Sequence, residues 1–220
     1  YKCTSLANVT FSEGLREIGS KAFYGCSALT SVSLPTTLSF VGDYAFYRCT
    51  SLQDVNLGGA EQIGASAFLG CVRLEKLTFP ATLKEIDKQA FRGCTALTSV
   101  VIPKSLTTVG AHAFYGCRNL TIYTAYEDVP DGFHERWNSS YRPLVLGALL
   151  SLDESVSSFI WGASSVRNLN DTNRLSGPIK DGYSFLGWST AENGDVEYTE
   201  KTLSALADGT RLYAIYRSNE

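Results

Sequence analysis

Six cysteines are the residues of this chain whose type and spacing could do chemistry. They stand at Cys3, Cys26, Cys49, Cys71, Cys94 and Cys117, separated by 23, 23, 22, 23 and 23 residues. Exported proteins usually pair their cysteines in a disulfide framework, and zinc sites usually use close pairs such as C-x2-C. Each cysteine here stands alone at one position of a regular spacing. The pattern predicts a column of free, buried thiols about 4.8 Å apart, wider than the Cβ separation of about 3.8 Å that a disulfide prefers.

The other reactive side chains form no recognisable catalytic set. His112 occupies a variable position, which predicts a surface side chain, and His134 lies in HERWN, which is not an H-E-x-x-H zinc motif. No G-x-S-x-G elbow, P-loop or G-x-G-x-x-G occurs. The polar stretch Asn168–Gly177 lacks the glycine and the final glutamate of a calcium loop. No spacing brings together any two of the carboxylates at Asp153, Glu154, Asp171 and Asp181. The sequence predicts a protein that is not an enzyme and has no cofactor or metal site.

Composition and charge narrow the classes of partner. Hydrophobic residues make up 44% of the 220 residues, enough for a folded core. Residues 1–147 contain 13 Lys and Arg against 12 Asp and Glu, and residues 148–220 contain 6 against 10. Neither part is strongly basic, so we expect no nucleic-acid partner. No run of about 18 apolar residues occurs, so we expect no membrane insertion.

The cysteines mark a repeat that must position every side chain around them. Leucine follows each cysteine by three residues, and each unit closes with an Ala-Phe pair such as Ala22-Phe23. Between them stand Val9, Val32, Val55, Leu77 and Val100, then Phe11, Leu34, Leu57, Phe79 and Ile102, then Leu15, Leu38, Leu83 and Leu106, and then Ile18, Val41, Ile63, Ile86 and Val109. One unit cannot bury so many apolar side chains, whereas stacked units bury them in a continuous core. The Val-x-Leu step has period two and predicts short strands that pair in parallel between units.

The turns of the repeat carry their own predictions. A glycine precedes the Ala-Phe pair in most units, where we predict a positive φ, and Asp87 replaces it in the fourth unit. These glycines are Gly19, Gly42, Gly64 and Gly110. The third unit is one residue short at Gly58-Gly59-Ala60, and a surface turn should absorb that deletion. Tyr1-Lys2-Cys3 aligns with Tyr24-Gly25-Cys26, so we expect further repeats upstream in a longer protein.

The units resemble the BspA-like, or treponemal, class of leucine-rich repeats. The resemblance rests on the sequence AFYGCSALTSVSLPTTLSFVGDYAF and covers about residues 1–143. The segment GFHERWNSSYRPLVLG resembles the C-terminal cap of such solenoids, and its apolar side chains could cover the last repeat. These side chains are Phe133, Trp137, Tyr141 and Pro143.

The remainder resembles a second bacterial module, the Listeria–Bacteroides repeat, which is β-grasp-like. The resemblance rests on Gly182–Trp188, the turn at Asn193-Gly194, which is a hairpin signal, and the closing strand Leu212–Tyr216. A strand-like segment at Leu149–Trp161 belongs to the same module. We therefore predict a leucine-rich repeat solenoid of about 23-residue repeats with its cap over residues 1–147. A small, mostly-β domain follows over residues 148–220.

The resemblance implies an exported or cell-surface bacterial protein, or a protist one, of a class whose members are commonly adhesins for host matrix or cell-surface proteins. Binding would then be encoded at the variable positions. Outward strand positions are Asn8, Thr10, Ser31, Ser33, Asp54, Asn56, Lys76, Thr78, Ser99 and Val101. A second column, which we call the ridge, stands two residues before each cysteine from Cys26 onward and consists of Tyr24, Tyr47, Leu69, Arg92 and Tyr115. Tyrosine and arginine are enriched at interfaces, although these tyrosines could simply cover the neighbouring phenylalanines.

Three functions follow from these positions. The first is an adhesin that binds a host protein or glycan through the repeat surface. The second is a structural spacer that displays a binding region encoded elsewhere. The third, an enzyme, would need convergent polar groups in the acidic C-terminal domain.

Overall fold

The computed structural model describes residues 1–150, 155–161, 165–169, 175–199, 203 and 206–219. The chain divides by contacts into two compact units. The first contains Tyr1–Leu97, Pro103–Arg118 and Pro130–Tyr141, and the second contains Thr98–Ile102, Asn119–Val129 and Arg142–Glu220. The domain boundary after Gly147 stays a prediction.

The first unit is a coil of repeats with two parallel sheets. With the strands numbered in chain order, one sheet has five two-residue strands in the order β1-β3-β5-β7-β9. The other has three strands in the order β2-β4-β6, and the ranges below follow these orders. The strands of the first sheet are Glu17–Ile18, Phe40–Val41, Gln62–Ile63, Glu85–Ile86 and Thr108–Val109. The strands of the second are Ser31–Ser33, Asp54–Asn56 and Lys76–Thr78. The predicted parallel pairing is confirmed, with residues one repeat apart as partners. Turns join these strands.

The inward columns form the core of the solenoid. The Ala-Phe phenylalanines stack ring on ring from Phe23 to Phe114, with centroids 5.1 to 5.6 Å apart and interplanar angles of 4 to 8°. The rings of Phe46 to Phe114 are fully buried, and burying each contributes about 1.5–3 kcal/mol. This core fixes the spacing between coils that the surface positions inherit.

The thiol column lies beside the phenylalanine stack. All six cysteines are free, and those from Cys26 to Cys117 are buried, as the spacing predicted. The thiol of Cys49 donates to the carbonyl of Phe23 at 3.1 Å, and Cys71, Cys94 and Cys117 repeat this bond one coil later each time. Cys3 is the exception, because it is exposed.

The prediction of a positive φ at the glycines before Ala-Phe is wrong. The left-handed residues stand two places later, at Lys21, Tyr44, Ser66, Gln89 and His112, with φ between 55° and 60°. Gly42, Gly64 and Gly110 are instead required because the preceding coil lies so close to them that it leaves no room for a Cβ atom. A Cβ on Gly110 would lie 2.4 Å from the backbone nitrogen of Lys88, in the coil before it.

The short third repeat keeps its register. Gln62 and Ile63 still pair with Phe40 and Val41, so the deletion is absorbed at Gly58-Gly59-Ala60 as predicted. The turn packs tightly, however: Ala60 is fully buried, and a Cβ on Gly59 would meet the carbonyl oxygen of Thr36 at 2.0 Å.

A sixth, incomplete coil ends the first unit. Phe133 continues the five-stranded sheet through a bridge to Val109, and Trp137 continues the phenylalanine stack, edge-on to Phe114 at 6.4 Å. Both are buried, as predicted for a cap. Tyr141 departs from that prediction, because it is 70% exposed.

The second unit contains two four-stranded sheets. The order in one is β14-β11-β10-β8 and in the other β12-β13-β16-β15. The strands of the first are Ser99–Ile102 (β8), Thr121–Thr124 (β10), Leu144–Val145 (β11) and Val166–Arg167 (β14). Those of the second are Leu149–Leu150 (β12), Val156–Ile160 (β13), Tyr183–Ser189 (β15) and Arg211–Ser218 (β16). Their shared core includes the fully buried Trp188, Phe159 and Tyr123.

The second unit contains the segments that the sequence singled out. Leu149–Trp161 contributes two antiparallel strands, and Leu212–Tyr216 lies within β16, between β13 and β15. The chain reverses at Asn193-Gly194, so that Trp188 bonds to Tyr198 in both directions. Asp153, Glu154 and Asp171 lie outside the described residues, as does part of Asn168–Gly177. Asp181 is exposed.

Candidate binding surfaces

The ridge lies on the turns that lead from the five-stranded sheet to each cysteine. The backbone of these turns is bonded from coil to coil, because Gly25 N donates to the carbonyl of Tyr47 at 2.8 Å and Arg48 N donates to Leu69 at 2.8 Å. The same bond recurs from Gly70 to Arg92 and from Gly93 to Tyr115. The ridge side chains therefore stand on a fixed backbone with one residue per coil.

Tyrosines at one end of the ridge stack on each other. The ring of Tyr24 lies between those of Tyr1 and Tyr47, with centroids 4.9 and 4.6 Å apart. Tyr44 tilts against Tyr47 at 5.8 Å. Tyr24 and Tyr47 are half-buried, and the binding role of the ridge stays a prediction. Tyr115, at the other end, is 44% exposed.

Cationic side chains lie on the tyrosine rings along the ridge. The Arg48 guanidinium lies 5.4 Å from the ring of Tyr47, and the Arg92 guanidinium lies 5.2 Å from the ring of Tyr115. The ammonium groups of Lys2 and Lys21 lie 5.5 and 5.8 Å from Tyr1 and Tyr44. The structure describes every residue of the first unit, and these four cation–π pairs are all that the unit contains. Such pairs pre-orient a charge that a partner can use.

The predicted outward positions on the strands divide into exposed ones and a buried one, Ser99. Ser31, Asp54 and Lys76 are exposed and in register on β2, β4 and β6, and Asn8 is exposed outside any strand. The expectation that Ser99 faces outward is wrong. Its hydroxyl is buried and accepts a hydrogen bond from the backbone N–H of Ile179 at 3.1 Å.

The five-stranded sheet carries a second exposed surface, which the sequence analysis did not identify as a candidate site. A groove of roughly 610 Å³ runs along it, lined by Glu17, Phe40, Glu61, Lys84, Thr108 and their neighbours. Lys84 pairs with Glu61 across adjacent coils, and both side chains are well exposed. The signal was available, because these residues flank the inward column of Ile18 and Val41 at the same period-two spacing.

The histidines and cysteines form no reactive set. His112 is half-buried rather than fully on the surface, and its Nδ1 lies 2.7 Å from the hydroxyl of Ser139. His134 is exposed. Burial raises the pKa of the Cys49 thiol to about 12 and holds those of Cys71 and Cys94 well above their ordinary value, which keeps these thiols protonated and unreactive. Among the described residues, no group of three or more His, Cys, Asp and Glu side chains could hold a metal ion. The same part of the chain has no helix long and apolar enough to cross a membrane.

Two family models match the chain. The model of the BspA type leucine rich repeat region matches in six copies over residues 1–95 and 61–131. The model of the Listeria-Bacteroides repeat domain matches residues 157–215. Among curated proteins, none matches the chain.

Solved leucine-rich repeat structures are similar over part of the chain. A T. pallidum leucine rich repeat protein is 38% identical, covering 51% of this chain and 54% of its own, with a TM-score of 0.49. A Bacteroides ovatus leucine-rich repeat protein is 32% identical, covering 57% and 33%, with a TM-score of 0.48. A leucine rich cell surface protein of Faecalibacterium prausnitzii is 24% identical, covering 72% and 51%, with a TM-score of 0.49. The chain thus spans between 33% and 54% of their lengths.

Proposed function

Because the chain belongs to the family of BspA type leucine rich repeat regions, we propose that it is a non-enzymatic protein of the bacterial cell surface, an adhesin that binds a host protein through its ridge. The family supports a surface protein with a protein-binding role. The host partner and the location outside the cell are our extension of that role.

One observation carries the proposal: the ridge presents a tyrosine or an arginine in four of its five coils, on a backbone that is bonded from coil to coil. These residue types dominate the binding energy of protein interfaces, because they combine large apolar area with directed polar groups. A backbone bonded from coil to coil loses little conformational freedom on binding, which favours affinity. The strand positions Ser31, Asp54 and Lys76 offer a smaller, polar second surface.

Binding of the 220-residue chain to immobilised extracellular-matrix proteins tests this function. We expect replacement of Tyr24, Tyr47 and Tyr115 by Ala to weaken binding at least tenfold, since interface tyrosines often contribute about 2 kcal/mol or more. The matched control replaces Ser31, Asp54 and Lys76 by Ala. Circular dichroism must show that both variants keep their fold.

The control also separates the alternatives. Loss of binding in the control alone would move the site to the strand face. Absence of binding to every matrix protein would refute the adhesin and favour the spacer that displays another binding region.

A further inference from the structure

We propose that the ridge is selective for one kind of partner: an extended acidic polypeptide segment with an apolar residue at its centre. This inference rests on the proposed function, because it names the partner class of the same surface. It is carried by the charge of the ridge turns, by the strain at Arg48 and by an apolar break at the third coil.

Charge is distributed unevenly around the solenoid. The ridge turns comprise residues 19–28, 42–51, 64–73, 87–96 and 110–118. Their cations are Lys21, Arg48, Arg73, Lys88, Arg92 and Arg118, and their only acids are Asp43 and Asp87. The rest of residues 1–109 contains slightly more acids than cations. The ridge therefore attracts an anionic partner, although the net charge of the chain is −3.

The two acids are turned to the backbone. Asp43 accepts a hydrogen bond from Ala65 N at 2.8 Å, and Asp87 accepts one from Lys88 N at 2.5 Å. None of the three ion pairs in the described part of the chain involves Lys21, Arg48 or Arg92. The guanidinium groups of Arg48 and Arg92 lie 5.4 and 5.2 Å from tyrosine ring centroids, and a guanidinium can donate two hydrogen bonds to one carboxylate.

Backbone strain at Arg48 is the second observation. Arg48 has a φ of 54° at the position before the cysteine, where the other interior coils have Gly25, Gly70, Gly93 and Gly116, also at positive φ. A side chain in this conformation costs about 1–2 kcal/mol that glycine avoids. The cation–π contact with Tyr47 offsets part of this cost, and we attribute the remainder to a use of the exposed guanidinium in binding.

The third coil interrupts the polar ridge. Leu69 replaces the tyrosine or arginine of the other coils and is half-buried. Val72 follows the cysteine, where most other coils have serine or threonine, and is 42% exposed. Cation–π pairs lie on both sides of this apolar centre, at Arg48 and at Arg92. An apolar centre between charged flanks matches a peptide with an apolar residue between acidic ones.

The stacked tyrosines argue against a glycan. Sugars bind aromatic residues by packing against a free ring face, and both faces of Tyr24 are covered by Tyr1 and Tyr47. A uniformly sulfated chain would also place charge against Leu69 and Val72, which costs desolvation without a partner.

Fluorescence polarisation with the 220-residue chain tests the proposal. The probe is a labelled decapeptide with a central Leu-Phe pair flanked by glutamates. The reference probe has glutamine in place of every glutamate, and heparin is a separate arm. We expect the acidic peptide to bind at least tenfold more tightly than the glutamine peptide, and to weaken steeply with added salt.

Two variants locate the site. Arg48→Gly combined with Arg92→Gln should weaken acidic-peptide binding at least tenfold, and the glycine matches the other coils, so the fold is kept. Arg16→Gln combined with Lys104→Gln removes the same charge at two exposed positions outside both candidate surfaces and should change binding less than twofold. Equal binding of both peptides, equal loss in both variants, or binding to heparin alone would overturn the proposal. If matrix-protein binding persists while the acidic peptide fails, the proposed function stands and only this inference falls.

Discussion

At the level of single residues, glycine meets two different needs in this repeat: close packing of the coils at one position and a positive φ at another. The glycines before Ala-Phe looked like positions that need a positive φ, but they are small because the preceding coil lies against them. The positive φ belongs to the residue before each cysteine and to a position that carries Lys, Tyr, Ser, Gln and His. Sequence alone does not separate these needs, because closeness between coils depends on a neighbour one repeat away.

The glycine before a cysteine is expected to act through its conformation alone. Gly93 has a φ of 76°, and a Cβ there would lie 3.9 Å from the nearest atoms of Gly70, an ordinary contact. Gly93→Ala should therefore lower the free energy of unfolding by about 1–2 kcal/mol, as measured by urea denaturation. Arg48→Gly should change it by less than about 1 kcal/mol, because relief of strain is offset by loss of the cation–π contact. A Gly93→Ala protein as stable as the parent would contradict this account.

The glycine before Ala-Phe is expected to act through space alone. Gly110→Ala would place a Cβ 2.4 Å from Lys88 N, so the coils must separate, and we expect a loss of at least about 1–3 kcal/mol in thermal denaturation. Gly19→Ala is the matched control, because no atom lies within 4 Å of its Cβ position. Similar losses in the two variants would show that the requirement is not closeness.

At the level of elements, the repeat pattern predicted the strands, the parallel register and the buried thiols, because each depends on contacts that recur in every coil. It was wrong where one coil meets something that the others do not. Ser99 has the same repeat position as Ser31 and Asp54, but it belongs to the second unit, where its buried hydroxyl accepts a hydrogen bond from Ile179 N. The ridge was found as a column, yet its cation–π pairs combine side chains from different columns, which single-column reasoning does not compare.

The thiol column is expected to make stability depend on alkaline pH. Burial raises the folded-state pKa of Cys49 to about 12 and holds that of Cys71 well above its ordinary value, whereas an unfolded thiol ionises near pH 8.5. Ionisation then favours the unfolded state, so stability is full below about pH 8.5 and falls as pH rises toward 12. Denaturant titrations at pH 8, 9 and 10 measure the slope. Cys49→Ala/Cys71→Ala should be less stable at pH 8 but should show a smaller fall, and an unchanged slope would refute the assignment.

The terminal coil is expected to stabilise the solenoid through Trp137. Trp137 is buried against Phe114 and Phe133, so Trp137→Ala should cost about 3–5 kcal/mol. Tyr141→Ala removes an exposed ring and should change stability by less than about 0.5 kcal/mol. Differential scanning calorimetry compares the two, and a larger effect at Tyr141 would restore the predicted four-residue cap.

At the level of the whole molecule, the solenoid separates the columns that form its core from the turns that carry the proposed binding surface. The inward columns are almost invariant from coil to coil, so each coil stabilises its neighbours in the same way. The turns vary, and the cations, tyrosines and the apolar break at the third coil are placed there without disturbing the core. The family and the fold were therefore readable from the invariant columns, whereas the proposed partner was not, because the proposal rests on variable positions that no periodicity constrains.

This separation predicts that a whole repeat can be removed. Deleting residues 50–71 joins Cys49 to Val72 and leaves every apolar column in register, so we expect a folded protein with parallel strands. The deletion removes 22 of 220 residues, and the dependence of stability on urea should fall by roughly a tenth, because it scales with the surface exposed on unfolding. Deleting residues 50–60 instead joins Cys49 to Glu61 and breaks the register, so cooperative unfolding should be lost. Since the first deletion also removes Leu69, acidic-peptide binding should weaken while the fold persists. If the two deletion variants lose cooperative unfolding to the same extent, the coils are not the independent, stackable units that the repeat implies.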